Sequence, residues 1–269
     1  MLRRIQLFEF CDQPWLRGSL REAFLDCLSF VHHVYQPYYH LAQPFAEWAN
    51  QNRQNVRKDR VGEAILDLAS GSGEQITMLL DASTKQGLHL PKFILSDLYP
   101  NLSAWHALQK SCGNDAVGYI EKPLSALDIP EGAPRHWTIF TAFHHLSPAA
   151  ARILLQGLVA KGDGLCIIEN TRRQWFCCVA MVLGLPVHLI VPFFAKRFKW
   201  SKFLCTTVIP IIPLMVAFDG VVSALRSYTK EEIIAMLPPG SENIFTIEYR
   251  EVWWRFSPLK ATMFLLVRK

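Results

Sequence analysis

The chain has 269 residues, 51% of them hydrophobic and 19% charged, with a mean hydropathy of +0.14. That length suits one large α/β domain, or one domain carrying an insertion, and the composition excludes a polytopic membrane protein. A net charge of +5 suits contact with anionic lipid or with nucleic acid and does not choose between them. The seven cysteines are odd in number and form no CxxC pair, which argues against a disulfide scaffold or a zinc site and for free thiols in a reducing compartment. No metal is expected. The opening "MLRRIQLFEFCDQPW" lacks the apolar core of a signal peptide, so the expected location is cytoplasmic.

In chain order, residues 18–52 space their apolar positions at three and four, which predicts helices broken at Pro37 and Pro44. Ser19 and Glu22 have the spacing of a capping box. The polar stretch 51–60 reads as a linker. Short apolar runs then alternate with helical segments: "AILDLA" (64–69), "KFILSDL" (92–98), "HWTIFTAF" (136–143) and "GLCIIEN" (164–170). This alternation predicts a parallel sheet with helices on both faces. Thr229 and Glu232 mark another helix start in "RSYTKEEIIAML", and two late strands, 244–254 and 262–269, close the chain.

The stretch "AILDLASGSGEQITMLL" (64–80) places a strand, a glycine turn and a helix start in succession. Such a turn brings backbone N–H groups close to a ligand at a helix N-terminus. A dinucleotide fingerprint would need a third glycine beyond Gly73, where Gln75 and Ile76 stand instead. An acid on the strand before the glycines would repel a pyrophosphate. It suits a cationic ligand.

These residues resemble the first motif of the class I S-adenosylmethionine-dependent methyltransferases, with Ala69 where that family most often has its first glycine. Asp97 in "FILSDLYPN" is similar to the acid that bonds the cofactor ribose, "LSALDIP" (124–130) to the adenine segment, and "FTAFHHLSP" to the fourth motif, beside the methyl group. The resemblance implies a Rossmann-like α/β fold, mostly parallel with a late antiparallel strand, and S-adenosyl-L-methionine as cofactor. It also implies binding by Asp67, Ala69, Ser70, Gly71, Gly73, Asp97, Leu98, Ser125, Ala126 and Thr141. Ser125 stands where the family usually has an acid, for which Asp128 could substitute. The expected organisation is a helical cap (1–59), a cofactor-binding core (60–173), a hydrophobic insertion (174–225) and the end of the core (226–269).

His144 and His145 end the fourth strand, on the edge where α/β sheets bind ligands, and histidine titrates near neutral pH. Either is a candidate general base, with His145 placed ahead, or the pair shapes the loop. Glu169, ending the fifth strand, is a second candidate base, a holder of a substrate cation, or an anchor for Arg172 or Arg173. No Asn/Asp-Pro-Pro-Tyr/Phe sequence occurs and no basic groove interleaved with aromatics is evident, so a nucleic-acid partner is not expected.

Between Arg173 and Lys196 there is no charged residue, and a second apolar run, 203–218, follows "KRFKWSK". Both ends return to one sheet, and two crossings would put the basic loop on the far side of a bilayer. Pro210 and Pro213 interrupt the second run, so a membrane span is not expected. Two readings stay open for 174–218. One is contact with an anionic membrane surface at the inner face, through Lys196, Arg197, Lys199 and Lys202. The other is an apolar cap over the active site. Both point to methyl transfer to a hydrophobic small-molecule or lipid-like acceptor. The alternative is a non-catalytic membrane-associated protein that retains the fold.

Overall fold

A computed structural model describes residues 2–55, 64–194 and 198–269, with residues 52–55 described only as helical backbone. The elements are α1 (Gly18–Tyr35), α2 (Ala42–Asn55), β1 (Ile65–Asp67), α3 (Glu74–Lys85), β2 (Phe93–Leu95), α4 (Leu102–Cys112), β3 (Val117–Tyr119) and β4 (His136–Phe140). They continue with α5 (Pro148–Lys161), β5 (Gly164–Glu169), α6 (Trp175–Leu183), α7 (Leu185–His188), α8 (Trp200–Phe203) and α9 (Ile211–Arg226). The chain ends with α10 (Lys230–Met236), α11 (Ser241–Ile244), β6 (Phe245–Trp253) and β7 (Lys260–Arg268).

Two compact units divide the chain. The larger comprises 37–170, 230–255 and 260–269 and holds a seven-stranded sheet of order β3-β2-β1-β4-β5-β7-β6. Strands β1 to β5 run parallel, whereas β7 is antiparallel to both β5 and β6. This is the predicted Rossmann-like sheet with its late antiparallel strands. β4 and β5 are buried along their whole lengths, as continuous apolar runs covered on both faces should be. Helix ends follow local chemistry. Ser147 caps α5 by accepting from the Ala150 N–H, with Pro148 in the first turn, and Asn101 caps α4 by accepting from the Ala104 N–H. α2 belongs to this unit, because Trp48, buried, donates its indole N–H to the Leu266 carbonyl of β7 at 3.2 Å. The unit therefore begins at residue 37, not at the expected residue 60, and α2 runs through part of the predicted linker. The remainder of that linker lies outside the described residues.

The smaller unit gathers 1–36, 171–229 and 256–259. Its core joins Leu16, Phe24 and Cys27 to Val191, Ile212 and Met215, so residues expected to form a separate N-terminal cap pack with the insertion instead. Three sequence expectations change here. Helix α1 starts one residue before Ser19, with Arg17 at the capping position, where a guanidinium has no acceptor to offer, and the Glu22 carboxylate accepts instead from Lys199 Nζ at 2.7 Å. Lys202 is 8% exposed and pairs with Asp26 at 2.6 Å and Glu22 at 3.3 Å, so it does not face a membrane surface. Pro210 falls in the break before α9, but Pro213 sits in its first turn, where no intrahelical N–H is lost, and the helix runs on to Arg226. Lys196 and Arg197 lie outside the described residues. Among the described residues, no single helix is long and apolar enough to cross a membrane.

A buried polar knot closes this unit. Asp219 accepts from the N–H groups of Phe10 and Cys11 at 2.8 and 2.9 Å, and Arg226 meets Glu9 at 2.9 Å. All seven cysteines are free thiols.

Candidate cofactor and catalytic site

The sheet order reverses direction between β1 and β4, and in doubly wound sheets ligands bind beyond the strand C-termini at such a point. The chain turns tightly there. Ala69, Gly71 and Gly73 all have left-handed backbones, with φ of 55°, 54° and 76°. Glycine tolerates this without cost, whereas alanine pays for its Cβ. The two glycines differ in their surroundings. A Cβ on Gly73 would come within 2.9 Å of Leu108 Cδ1, so Gly73 is needed for packing; one on Gly71 would meet nothing within 4 Å. The outer face of the turn is therefore open for a ligand to lie against the backbone. Trp105 fixes the turn from behind by donating its indole N–H to the Gly71 carbonyl at 2.9 Å.

Asp67 ends β1, is 2% exposed and accepts from the Thr138 hydroxyl at 2.8 Å. Burial raises its carboxyl to about 7, against the opposing hydrogen bonds from Ser70 and Thr138. A cationic ligand would restore the charged form. The Ser70 hydroxyl, also buried, donates to the Asp67 carbonyl at 2.9 Å and holds the turn to the strand end.

Asp97, two residues beyond β2, spans the next stretch. One carboxylate oxygen accepts from the Gly71 N–H at 2.9 Å and the other from the Tyr99 N–H at 2.8 Å. Each oxygen keeps lone-pair capacity for one more donor, which fits a pair of hydroxyl groups. Leu98 is half exposed beside it. The Leu124 N–H donates to the Asp97 carbonyl at 2.9 Å, placing the segment with Ser125 and Ala126 directly after this acid. The Ser125 hydroxyl accepts from the Leu127 N–H at 3.2 Å and shapes that turn, and Asp128 is exposed.

At the end of β4, Thr141 is also left-handed, with φ of 50°, and its hydroxyl accepts from Gln75 at 3.4 Å. His144 follows and is gripped twice by Glu169 at the end of β5. Its backbone N–H donates to Oε1 at 3.0 Å, and its Nδ1 lies 2.7 Å from Oε2. Both residues are buried. The His145 ring lies against His144, with centroids 4.3 Å apart. The three predicted catalytic residues thus come together, and the carboxylate engages His144, not His145. A carboxylate on Nδ1 fixes the imidazole's orientation and tautomer.

Sequence reasoning missed Thr138, Trp105 and the contact between Tyr38 and Asn170, in which the Asn170 amide donates to the Tyr38 hydroxyl at 3.2 Å. Thr138 lies inside an apolar run and Trp105 in the first turn of α4. Neither position has a spacing signal.

No protein-family model matches the chain, and no curated protein matches it in sequence. Solved structures do match in fold. The plantazolicin methyltransferase BpumL, in complex with SAH, superposes with a TM-score of 0.55 at 12% identity, covering 96% of this chain and 94% of that one. An O-methyltransferase (NcsB1) from neocarzinostatin biosynthesis, in complex with S-adenosylmethionine and 2-hydroxy-5-methyl naphthoic acid, gives 0.51 at 13% identity, covering 94% of this chain and 59% of that one. The pyocyanin biosynthetic protein PhzM gives 0.44 at 18% identity, with 83% of this chain covered; the chain spans about half of its length, 55%. The chain has the Rossmann-like fold of the class I S-adenosylmethionine-dependent methyltransferases.

Proposed function

We propose that this protein transfers a methyl group from S-adenosylmethionine to a hydrophobic small-molecule acceptor. The observation that carries the reading is the His144–Glu169 pair, on the same sheet edge as the Asp67–glycine turn and Asp97. Asp67 would face the cofactor's cationic amino-acid end, the open backbone at Gly71 would lie along it, and Asp97 would accept from the ribose hydroxyls. Leu98, Ser125 and Ala126 would flank the adenine. Bound there, the cofactor supplies an electrophilic methyl on a sulfonium.

The chain's own contribution is orientation and proton removal. An acceptor O–H or N–H would give its proton to His144 Nε2 as the methyl leaves sulfur for the acceptor atom, the demethylated cofactor being the leaving group, while Glu169 holds the ring through Nδ1. His145 packs the ring in place. The apolar character of the acceptor is supported by the sequence that follows β5, which enters an uncharged stretch of 22 residues at Gln174. Two solved structures that superpose above TM-score 0.5 are a plantazolicin methyltransferase and an enzyme holding a naphthoic acid, both compatible with a small-molecule acceptor.

The test is transfer of labelled methyl into a solvent-extractable product from a panel of aromatic hydroxy acids, phenols and lipid extracts. The wild type is expected to label at least one fraction, and His144→Ala to lose about a hundredfold in rate or more at unchanged cofactor affinity. Cofactor binding with no labelled product in any fraction would favour a protein that keeps the fold without the chemistry.

A further inference from the structure

The smaller unit presents apolar side chains outward as well as inward. α6 exposes Trp175, Val179, Val182 and Leu183, spaced at four, seven and eight, hence along one helical face. α9 exposes Ile211, Leu214 and Phe218, spaced at three and seven, while burying Ile212, Met215 and Val222 on the other side. Trp175, Leu183 and Trp200 are 69%, 72% and 76% exposed. α6 and α9 are closely packed, because a Cβ at Gly220 of α9 would come within 3.0 Å of Met181 Sδ. The connection between these helices adds an aromatic cluster in which Phe203 lies 5.6 Å from Phe193 and 5.8 Å from Trp200.

We infer that this surface docks on an anionic lipid bilayer without crossing it. The first ground is chemical. From Gln174 to Ala195, and again from Phe203 to Phe218, there is no charged side chain. A surface for a protein partner keeps a polar rim and about one hydrogen bond per 100–200 Å². These exposed helical faces offer aliphatic and aromatic groups instead. Bulky apolar side chains on a surface helix, with a tryptophan at its end, suit the boundary between headgroups and acyl chains.

The second ground is charge. The smaller unit carries eleven Lys and Arg against five Asp and Glu, a net +6, while the rest of the chain carries seventeen against eighteen, a net −1. The positive charge and the exposed apolar faces share one unit, which is the complement of an anionic surface. The third ground excludes a span. The only bent pair of apolar helices found among the described residues, Trp200–Val208 with Ile211–Arg226, turns through 64°. Its far end contains Asp219 and Arg226, both tied into the polar knot with Phe10, Cys11 and Glu9. Those groups hold the C-terminal half of α9 in protein, so only its first turns and α6 enter the interface.

The expected basic patch is not the driving element. Lys199 and Lys202 spend their charge on Glu22 and Asp26 of α1, so apolar insertion supplies most of the attachment and the unit's net charge adds to it. This inference uses no catalytic residue and stands apart from the methyl-transfer reading.

The test is flotation of the full chain with vesicles of phosphatidylcholine alone and of phosphatidylcholine mixed with phosphatidylglycerol, alongside sedimentation velocity without vesicles. The wild type should float with the anionic vesicles, less so with the neutral ones, and be released by carbonate. A variant with Trp175→Ser, Leu183→Ser, Phe193→Ser and Trp200→Ser should lose retention by about tenfold or more with an unchanged melting temperature, since all four side chains are exposed. Wild-type protein that stays in solution with both vesicles, or a fourfold variant that floats equally well, overturns the inference. So does a concentration-dependent dimer that ignores vesicles, which would make the same faces a contact between two copies.

Discussion

At the scale of single residues, the glycine turn separates strain, packing and binding. Ala69 adopts a left-handed backbone with an exposed side chain, so Ala69→Gly removes a steric cost of roughly 1–2 kcal/mol and restores part of it as unfolded-state entropy. A net stabilisation of up to about 1 kcal/mol is expected from the urea midpoint. Gly73→Ala should do the opposite, costing about 1–3 kcal/mol, because its Cβ collides with Leu108. Asp67 is the residue whose behaviour with pH is most distinctive. Its carboxyl is raised from the usual carboxylate range to about 7, so the folded state holds this proton more tightly than the unfolded state. The contribution of Asp67 to stability is therefore fully present below about pH 4 and is lost as pH rises through about 7. A bound cation pulls the carboxyl back toward its charged form. Calorimetry in buffers of different ionisation enthalpy should then show a proton released on cofactor binding near pH 6, fading above about pH 8, and no such release in Asp67→Asn. Equal heats in all buffers would remove Asp67 from the cation's neighbourhood.

Elements show where the sequence was legible and where it was not. The strands β1, β2, β4 and β5 appear inside the predicted runs, because strands buried on both faces read as short apolar stretches between turn residues. β3 went unread, since Val117–Tyr119 is three residues long with a glycine at its centre and gives no pattern. The glycine turn was legible because a tight turn needs glycine and because an acid before it needs a reason. Thr138 and Trp105 were not, since their roles depend on which strand and helix lie beside the turn. The two apolar halves of 174–218 stand in the sequence itself, but the ion pairs beside them do not. Lys202 and Asp26 are 176 residues apart, and only the fold brings α8 against α1. The consequence is specific. Lys202→Gln should lower stability by about 1 kcal/mol, given that its acidic partners remain partly solvated, and should leave vesicle retention nearly unchanged. A large loss of retention with unaltered stability would return Lys202 to the lipid surface.

For the whole molecule, the two compact units carry different chemistry. The sheet unit, formally near neutral, holds every predicted cofactor and catalytic residue, and the smaller unit holds the positive charge and the exposed apolar faces. The central proposal belongs to the first: this edge of the sheet would bind S-adenosylmethionine through an acid before the turn, an open glycine backbone and an acid after the next strand. The most direct measurement is calorimetric titration of the full chain with S-adenosylmethionine, its demethylated product and NAD, repeated for Asp97→Ala. The account predicts binding of the first two in preference to NAD, weakened by roughly 1–3 kcal/mol in the variant, since removing this carboxylate also leaves the Gly71 N–H without its acceptor. No heat with S-adenosylmethionine or its product, or tighter binding of NAD, would contradict it.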